Sequence, residues 1–154
     1  MNPFPDVGDI APDISLPSTD GHFNLYERLT DGAVLLVFYP KDKTLICTKQ
    51  LCNYRDNVAM FDELRVQIVG INQDDLDSHQ TFAMTHKFGF PLVSDTERVA
   101  SAAYGVLLDL FKLKRTLVLV GEDGHIWWRH SQLRIFHRDA ADLREVIASL
   151  SLDT

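Results

Sequence analysis

The sequence predicts an α/β domain in which a central mixed sheet is flanked by helices as a three-layer sandwich. Three observations carry this expectation. Ala33 to Tyr39, Val66 to Ile71 and Thr116 to Val120 are apolar runs rich in β-branched and aromatic residues, as strands covered on both faces require. A helical segment separates the first two runs, and a strand, helix, strand crossover joins parallel neighbours right-handedly. Beyond the third run, Glu122-Asp123-Gly124 is a hairpin turn and Ile126 to His130 returns as an antiparallel partner.

Residues 1 to 17 carry Pro3, Pro5, Pro12 and Pro17, which favour an extended arm and short edge strands over a helix. Asp20-Gly21 marks a turn and His22 to Leu25 a short edge strand. Pro40 ends the strand that starts at Ala33. From about Thr44 to Leu64 the residues Leu51, Tyr54, Val58, Phe61 and Leu64 recur at steps of three and four, the stripe of one long helix. A helix is expected over Asp75 to Lys87, burying Leu76, Phe82 and Ala83 and closing at Gly89. Pro91 to Val93 reads as a short connection or edge strand. Thr96 to Tyr104 reads as a helix with Val99, Ala100 and Ala103 on one face. The last helix, Ala140 to Leu150, has Asp139 as N-cap and buries Leu143, Val146, Ile147 and Leu150.

With 154 residues, 45% of them hydrophobic and 24% charged, the chain fits one domain spanning 1–154. A chain of this size buries about two thirds of its unfolded surface. A net charge of −7 without a basic run argues against nucleic acid as a partner. No apolar run approaches the roughly 20 residues that span a bilayer, and MNPFPDVGD lacks the basic and apolar regions of a signal peptide. A soluble, cytoplasmic protein is the expectation.

The chemistry concentrates in VLLVFYPKDKTLICTKQLC, Val34 to Cys52. Pro40, Thr44 and Cys47 form a Pro-x-x-x-Thr-x-x-Cys pattern where the strand hands over to a helix. Unpaired N–H groups and the positive end of the helix dipole favour a thiolate there, so Cys47 reads as a nucleophile. Cys52, five residues on, lies on the same helix with its Cα about 8.6 Å away, beyond the roughly 7 Å limit for a disulfide. Bonding between the two requires local unwinding. Plainer readings stand beside these. Both cysteines could be buried core residues, Thr44 a simple N-cap, and Arg115 a solvated charge at a strand end. A zinc site is poorly supplied, with only two thiols nearby and no histidine close in sequence. The histidines are dispersed, His79 and His86 reading as a surface pair. Trp127 and Trp128 alternate sides of a strand, which places one in the core and leaves the other for an edge or a partner.

The order strand, cysteine-bearing helix, strand, helix, strand hairpin, helix is that of the thioredoxin fold. The segment FYPKDKTLICTKQLCNYRDN closely resembles the active-site segment of peroxiredoxins of the bacterioferritin comigratory protein group, also called peroxiredoxin Q. The likeness extends to GDIAPDISLPSTDG, IVGINQDD, FGFPLVSD, AYGV and KRTLVLVGEDGHI, nearly the whole chain. It implies that Cys47 is the peroxidatic cysteine, Cys52 the resolving cysteine, Thr44 the hydroxyl that contacts peroxide and Arg115 the guanidinium, with Pro40 shielding the site from water. It also implies reduction of hydrogen peroxide and alkyl hydroperoxides through an intramolecular disulfide, recycling by thioredoxin or a similar dithiol, no cofactor, and a monomer or weak dimer. Two departures stand out. Leu45-Ile46 replaces the Pro-Gly that commonly precedes the cysteine in this group, and Gln50 stands where its members usually carry Glu. A redox sensor or switch using the same cysteine pair is the competing function. A disulfide reductase would normally show Cys-x-x-Cys, which is missing.

Overall fold

The computed structural model describes residues 4–107, 113–131 and 138–152. Its frame is a seven-stranded sheet in the order β2-β1-β5-β4-β3-β6-β7. The strands are β1 (Ser15–Ser18), β2 (Gly21–Asn24), β3 (Ala33–Phe38), β4 (Val66–Asn72), β5 (Leu92–Ser94), β6 (Thr116–Val120) and β7 (Ile126–Ser131). β3 runs parallel to β4, which runs parallel to β5, while β3 pairs antiparallel with β6. The mixed sheet expected from the apolar runs is therefore present.

All six residues of β3 are buried, and their alternation divides the interior into two layers. Val34, Leu36 and Phe38 face a core shared with Leu25, Ala100 and Tyr104, which places α1 (Leu25–Arg28) and α5 (Val99–Ala103) on that side. Ala33, Leu35, Val37 and Tyr39 face the other core, built with Leu51, Phe61, Phe82 and Leu143 from α2 (Leu45–Asp56), α3 (Val58–Glu63), α4 (Leu76–His86) and α6 (Ala140–Leu152). Asp139 caps α6 as expected, its carboxylate accepting from the Asp142 N–H at 2.9 Å.

Several expectations are corrected. The single long helix is two, because the Asn57 side chain donates to the Asn53 carbonyl at 2.8 Å, while the Asn57 N–H bonds Tyr54 O instead. That competition takes the chain out of the helix for one residue, and Val58 is left 38% exposed. β5 is an interior strand between β1 and β4, because Ser18 of β1 pairs with Val93 along its outer side. Leu25 opens a short helix rather than ending a strand, since Asn24 accepts from the Glu27 N–H at 2.9 Å. The left-handed residue that closes α4 is Lys87, at φ 54°, not Gly89. In α5 the buried face is Ala100 and Ser101, with Tyr104 just beyond, and Val99 is exposed. Both tryptophans are half-buried against the same core layer. The β6–β7 register shifts between Leu119, opposite Trp128, and Val120, opposite Ile126, so the alternation fails at Trp127.

Candidate active site

β3 ends against Tyr39 and Pro40, and Pro40, half-buried, has no N–H with which to extend the ladder. The loop that follows is pinned by Asp42, whose side chain is 1% exposed. Its carboxylate accepts from Tyr39 OH at 2.5 Å, His79 Nδ1 at 2.6 Å, Ser78 Oγ at 2.9 Å and Asn72 Nδ2 at 3.2 Å. Burial alone would raise the Asp42 carboxyl; the bond and charge of His79, with the Tyr39 and Ser78 hydroxyls, outweigh it and hold the carboxyl below its ordinary range. The Tyr39 hydroxyl is held far up, by burial first and then by the Asp42 carboxylate. The other His79 nitrogen donates to Val93 O at 2.9 Å, so both ring nitrogens face acceptors. His79 is fully buried and not a surface residue, because it lies on the α4 face that also carries Phe82.

Beyond Asp42, Lys43 takes a left-handed φ of 67°, and Thr44 opens α2 from an extended conformation. Thr44 occupies the N-cap position without a side-chain capping bond. Its hydroxyl donates to Lys41 O at 3.1 Å, which leaves the oxygen lone pairs on an exposed residue. Cys47 follows in the first turn, 1% exposed, where backbone N–H groups lack intrahelical acceptors.

Arg115 immediately precedes β6, and Thr116 pairs with Phe38, so the guanidinium arrives beside the end of β3. Its Nη2 donates to Cys47 Sγ at 3.3 Å and its Nη1 donates to Gln50 Oε1. Gln50 Nε2 in turn donates to Tyr54 OH at 3.1 Å, and Tyr54 OH donates to Arg138 O at 2.6 Å. Cys47, Gln50 and Tyr54 sit at steps of three and four, one face of α2. Burial pushes the Tyr54 hydroxyl well above its ordinary value, so it stays neutral and donates. A neutral amide thus orients the arginine against the sulfur, in the place where the resemblance leads one to expect a carboxylate.

Cys52 is a free thiol on the same helix, half-buried, with His86 Nδ1 3.7 Å from its sulfur. Its thiol is raised by burial, while Arg55 lowers it and Asp56 raises it. The structure therefore brings Cys47 and Arg115 together, sets Thr44 at the helix mouth, and holds Cys52 apart. The sequence marks Gln50 only as a departure from the usual Glu, and Tyr54, Asp42 and His79 were not anticipated as site residues. The helical steps from Cys47, and the apolar face that His79 shares with Phe82, are the signals that point to them. Among the described residues no cluster of three or more His, Cys, Asp or Glu is placed to hold a metal.

The family model described as AhpC/TSA family matches residues 7–129. This chain belongs to the AhpC/TSA family. A Coxiella burnetii protein, provisionally named peroxiredoxin bcp, is 34% identical over 128 residues, which cover 79% of this chain and 85% of that protein. The chloroplastic peroxiredoxin Q of Triticum aestivum is 35% identical over 68% of this chain and 48% of its own length. The crystal structure of peroxidoxin BcpB from Mycobacterium tuberculosis superimposes with a TM-score of 0.84 at 32% identity, covering 97% of this chain and 99% of that one. The resemblance read from the active-site segment and the thioredoxin-like fold both hold.

Proposed function

We propose that Cys47, Thr44, Arg115 and Cys52 carry the thiol-dependent peroxidase reaction of this AhpC/TSA-family chain. The Cys47 thiolate attacks one peroxide oxygen, the O–O bond breaks, and the sulfur becomes a sulfenic acid as water or an alcohol leaves. Cys52 condenses with the sulfenic acid to a disulfide, and an external dithiol, thioredoxin or a protein like it, restores both thiols. Pro40 keeps bulk water from the sulfur. The enzyme works as a monomer or weak dimer in a reducing cytoplasm.

The observation that carries this reading is the 3.3 Å contact from Arg115 Nη2 to Cys47 Sγ, with both residues 1% exposed. Thiolate formation by itself achieves little. Lowering a thiol pKa from about 8.5 to about 6 raises the thiolate fraction at pH 7 roughly 30-fold, but the accompanying loss of nucleophilicity removes about 10-fold. Most of the acceleration must come from donors that meet charge developing on the departing oxygen. Arg115 and the Cys47 N–H supply donors of that kind, and the Thr44 hydroxyl joins them by turning its proton from Lys41 O to the peroxide. A sensor using the same cysteine pair has no need of a guanidinium on the sulfur.

Intact mass after one equivalent of hydrogen peroxide tests the roles. The wild type is expected to lose two hydrogens, and Cys52→Ser to trap one added oxygen on Cys47. No change in either would overturn the assignment, and turnover in excess peroxide with a recycling dithiol separates enzyme from sensor.

A further inference from the structure

Cys52 has a partner that the peroxide-facing residues leave unexplained. His86, the last residue of α4, is held on two sides, stacked on Phe88 at 5.6 Å and 24° and meeting Phe82 edge-on at 5.3 Å and 82°. Its carbonyl accepts from Arg55 Nη1 at 2.6 Å, which ties the end of α4 to the part of α2 that carries Cys52. The imidazole therefore reaches the Cys52 sulfur, at 3.7 Å from Nδ1, as a positioned group.

A thiol must lose its proton to attack a sulfenic acid, because the thiolate is the nucleophile. Burial keeps the Cys52 thiol protonated, with Arg55 opposing and Asp56 adding to that tendency. Among the described residues the charges that act on Cys52 are these two, bonded to each other at 2.9 Å, and Lys87 follows His86 in the chain.

We propose that the His86 imidazole is the general base for Cys52 in the resolving step. This rests on the reading of Cys52 as the resolving cysteine. With its own proton on Nε2, the ring takes the Cys52 S–H proton at Nδ1 as the sulfur attacks the Cys47 sulfenic sulfur. The S–S bond forms and the S–O bond breaks. Hydroxide leaves, takes the proton from the ring and becomes water. Cys52 is oxidised, the Cys47 sulfur is reduced, and the imidazole ends neutral. A nucleophilic sulfur activated by an adjacent imidazole is an established catalytic pairing.

Rapid quenching and intact mass after one equivalent of hydrogen peroxide give two rates, the gain of one oxygen and its loss on disulfide formation. In His86→Phe, which keeps an aromatic ring on Phe88, the first rate is expected to be unchanged. The second is expected to fall by about tenfold or more at pH 7. Its pH profile should lose the rise through the imidazole range and keep only the rise at thiol pH, and added imidazole should restore part of the rate. An unchanged second rate and profile in the folded variant overturns the proposal. A second measurement leaves His86 in place: the alkylation of Cys52 by iodoacetamide in Cys47→Ser, followed against pH. An inflection in the imidazole range is expected, and a single inflection at thiol pH overturns the proposal. A wild type that neither gains the oxygen nor forms the disulfide, or that gains the oxygen and never forms the disulfide, overturns the reading of the cysteine pair and this proposal with it.

Discussion

The two ends of α2 are secured by opposite chemistry. Upstream, the loop before the helix is fixed by charge, through the buried Asp42 carboxylate and its bonds to Tyr39, Ser78, Asn72 and His79. Along the helix, the face behind Cys47 is fixed by a chain of hydrogen bonds from Arg115 through Gln50 and Tyr54 to Arg138 O. Breaking a buried ion pair from one side leaves a charge behind and costs about 3–5 kcal/mol, whereas losing one hydrogen-bond partner costs about 1–3 kcal/mol. The upstream anchor therefore governs whether the loop keeps its shape, and the downstream chain governs how the arginine is aimed.

That contrast is broken most severely at the point where the chain reaches the sulfur. Arg115→Ala is expected to lower the rate of peroxide reduction about 10²–10³-fold, the scale of losing one donor to a developing oxyanion. Stopped-flow rates compared at matched thiolate fraction check it, and equal rates would show that the guanidinium acts on the ground state alone. Next in size is Asp42→Asn, expected to destabilise the fold by about 3 kcal/mol in urea unfolding at neutral pH. The sign of its pH dependence follows from the lowered Asp42 carboxyl. The carboxylate's contribution is complete above the unfolded value of about 3.9 and is lost as pH falls through the lower folded value. The gap between wild type and Asp42→Asn should therefore narrow in strong acid; a constant gap would count against the ion pair as its source.

Gln50→Leu sharpens the comparison from the other side. It removes the Arg115 acceptor and the donor to Tyr54, and should slow peroxide reduction by about tenfold, equivalent to about 1.4 kcal/mol, while costing less stability than Asp42→Asn. If the two variants lose stability equally, the distinction between anchors fails. The smallest effect is expected at the helix mouth. Leu45 is 68% exposed and Ile46 is half-buried beside it, an apolar rim above the cysteine. Ile46→Gly should lower the cumene hydroperoxide rate relative to hydrogen peroxide by a few-fold, about 1 kcal/mol for lost apolar contact. The ratio cancels the cost of glycine in a helix, and an unchanged ratio would remove Ile46 from substrate preference.

The sheet was legible because its strands are long apolar runs, and the sulfur with its arginine because a short motif and an antiparallel register bring them together. What escaped was set by side chains bonding across long separations. Gln50 looks like a lost carboxylate in the sequence, yet its amide both accepts from Arg115 and donates to Tyr54, a role open to a group with an acceptor and a donor. His79 lies 37 residues from Asp42, and no local pattern announces that a loop carboxylate will meet it. The break at Asn57 is a competition between a side-chain amide and a backbone N–H, which hydrophobic periodicity does not register. Ser18 pairing with Val93 turned a presumed edge into an interior strand, since strand order depends on partners that the segment itself does not encode.

The hydrogen-bond chain does not stop at the Arg138 carbonyl. The guanidinium of the same residue lies over the Trp128 indole, 5.6 Å from the ring centre, and His130 also stacks on that indole, at 5.7 Å and 8°. A cation resting on an indole alters its emission, so Trp128 is expected to report on α2 through Arg138 and Tyr54. When oxidation unwinds the turn carrying Cys47 and releases Gln50 from Tyr54, the intrinsic fluorescence should change in step, and Trp128→Phe should erase the signal while leaving the chemistry running in the dark.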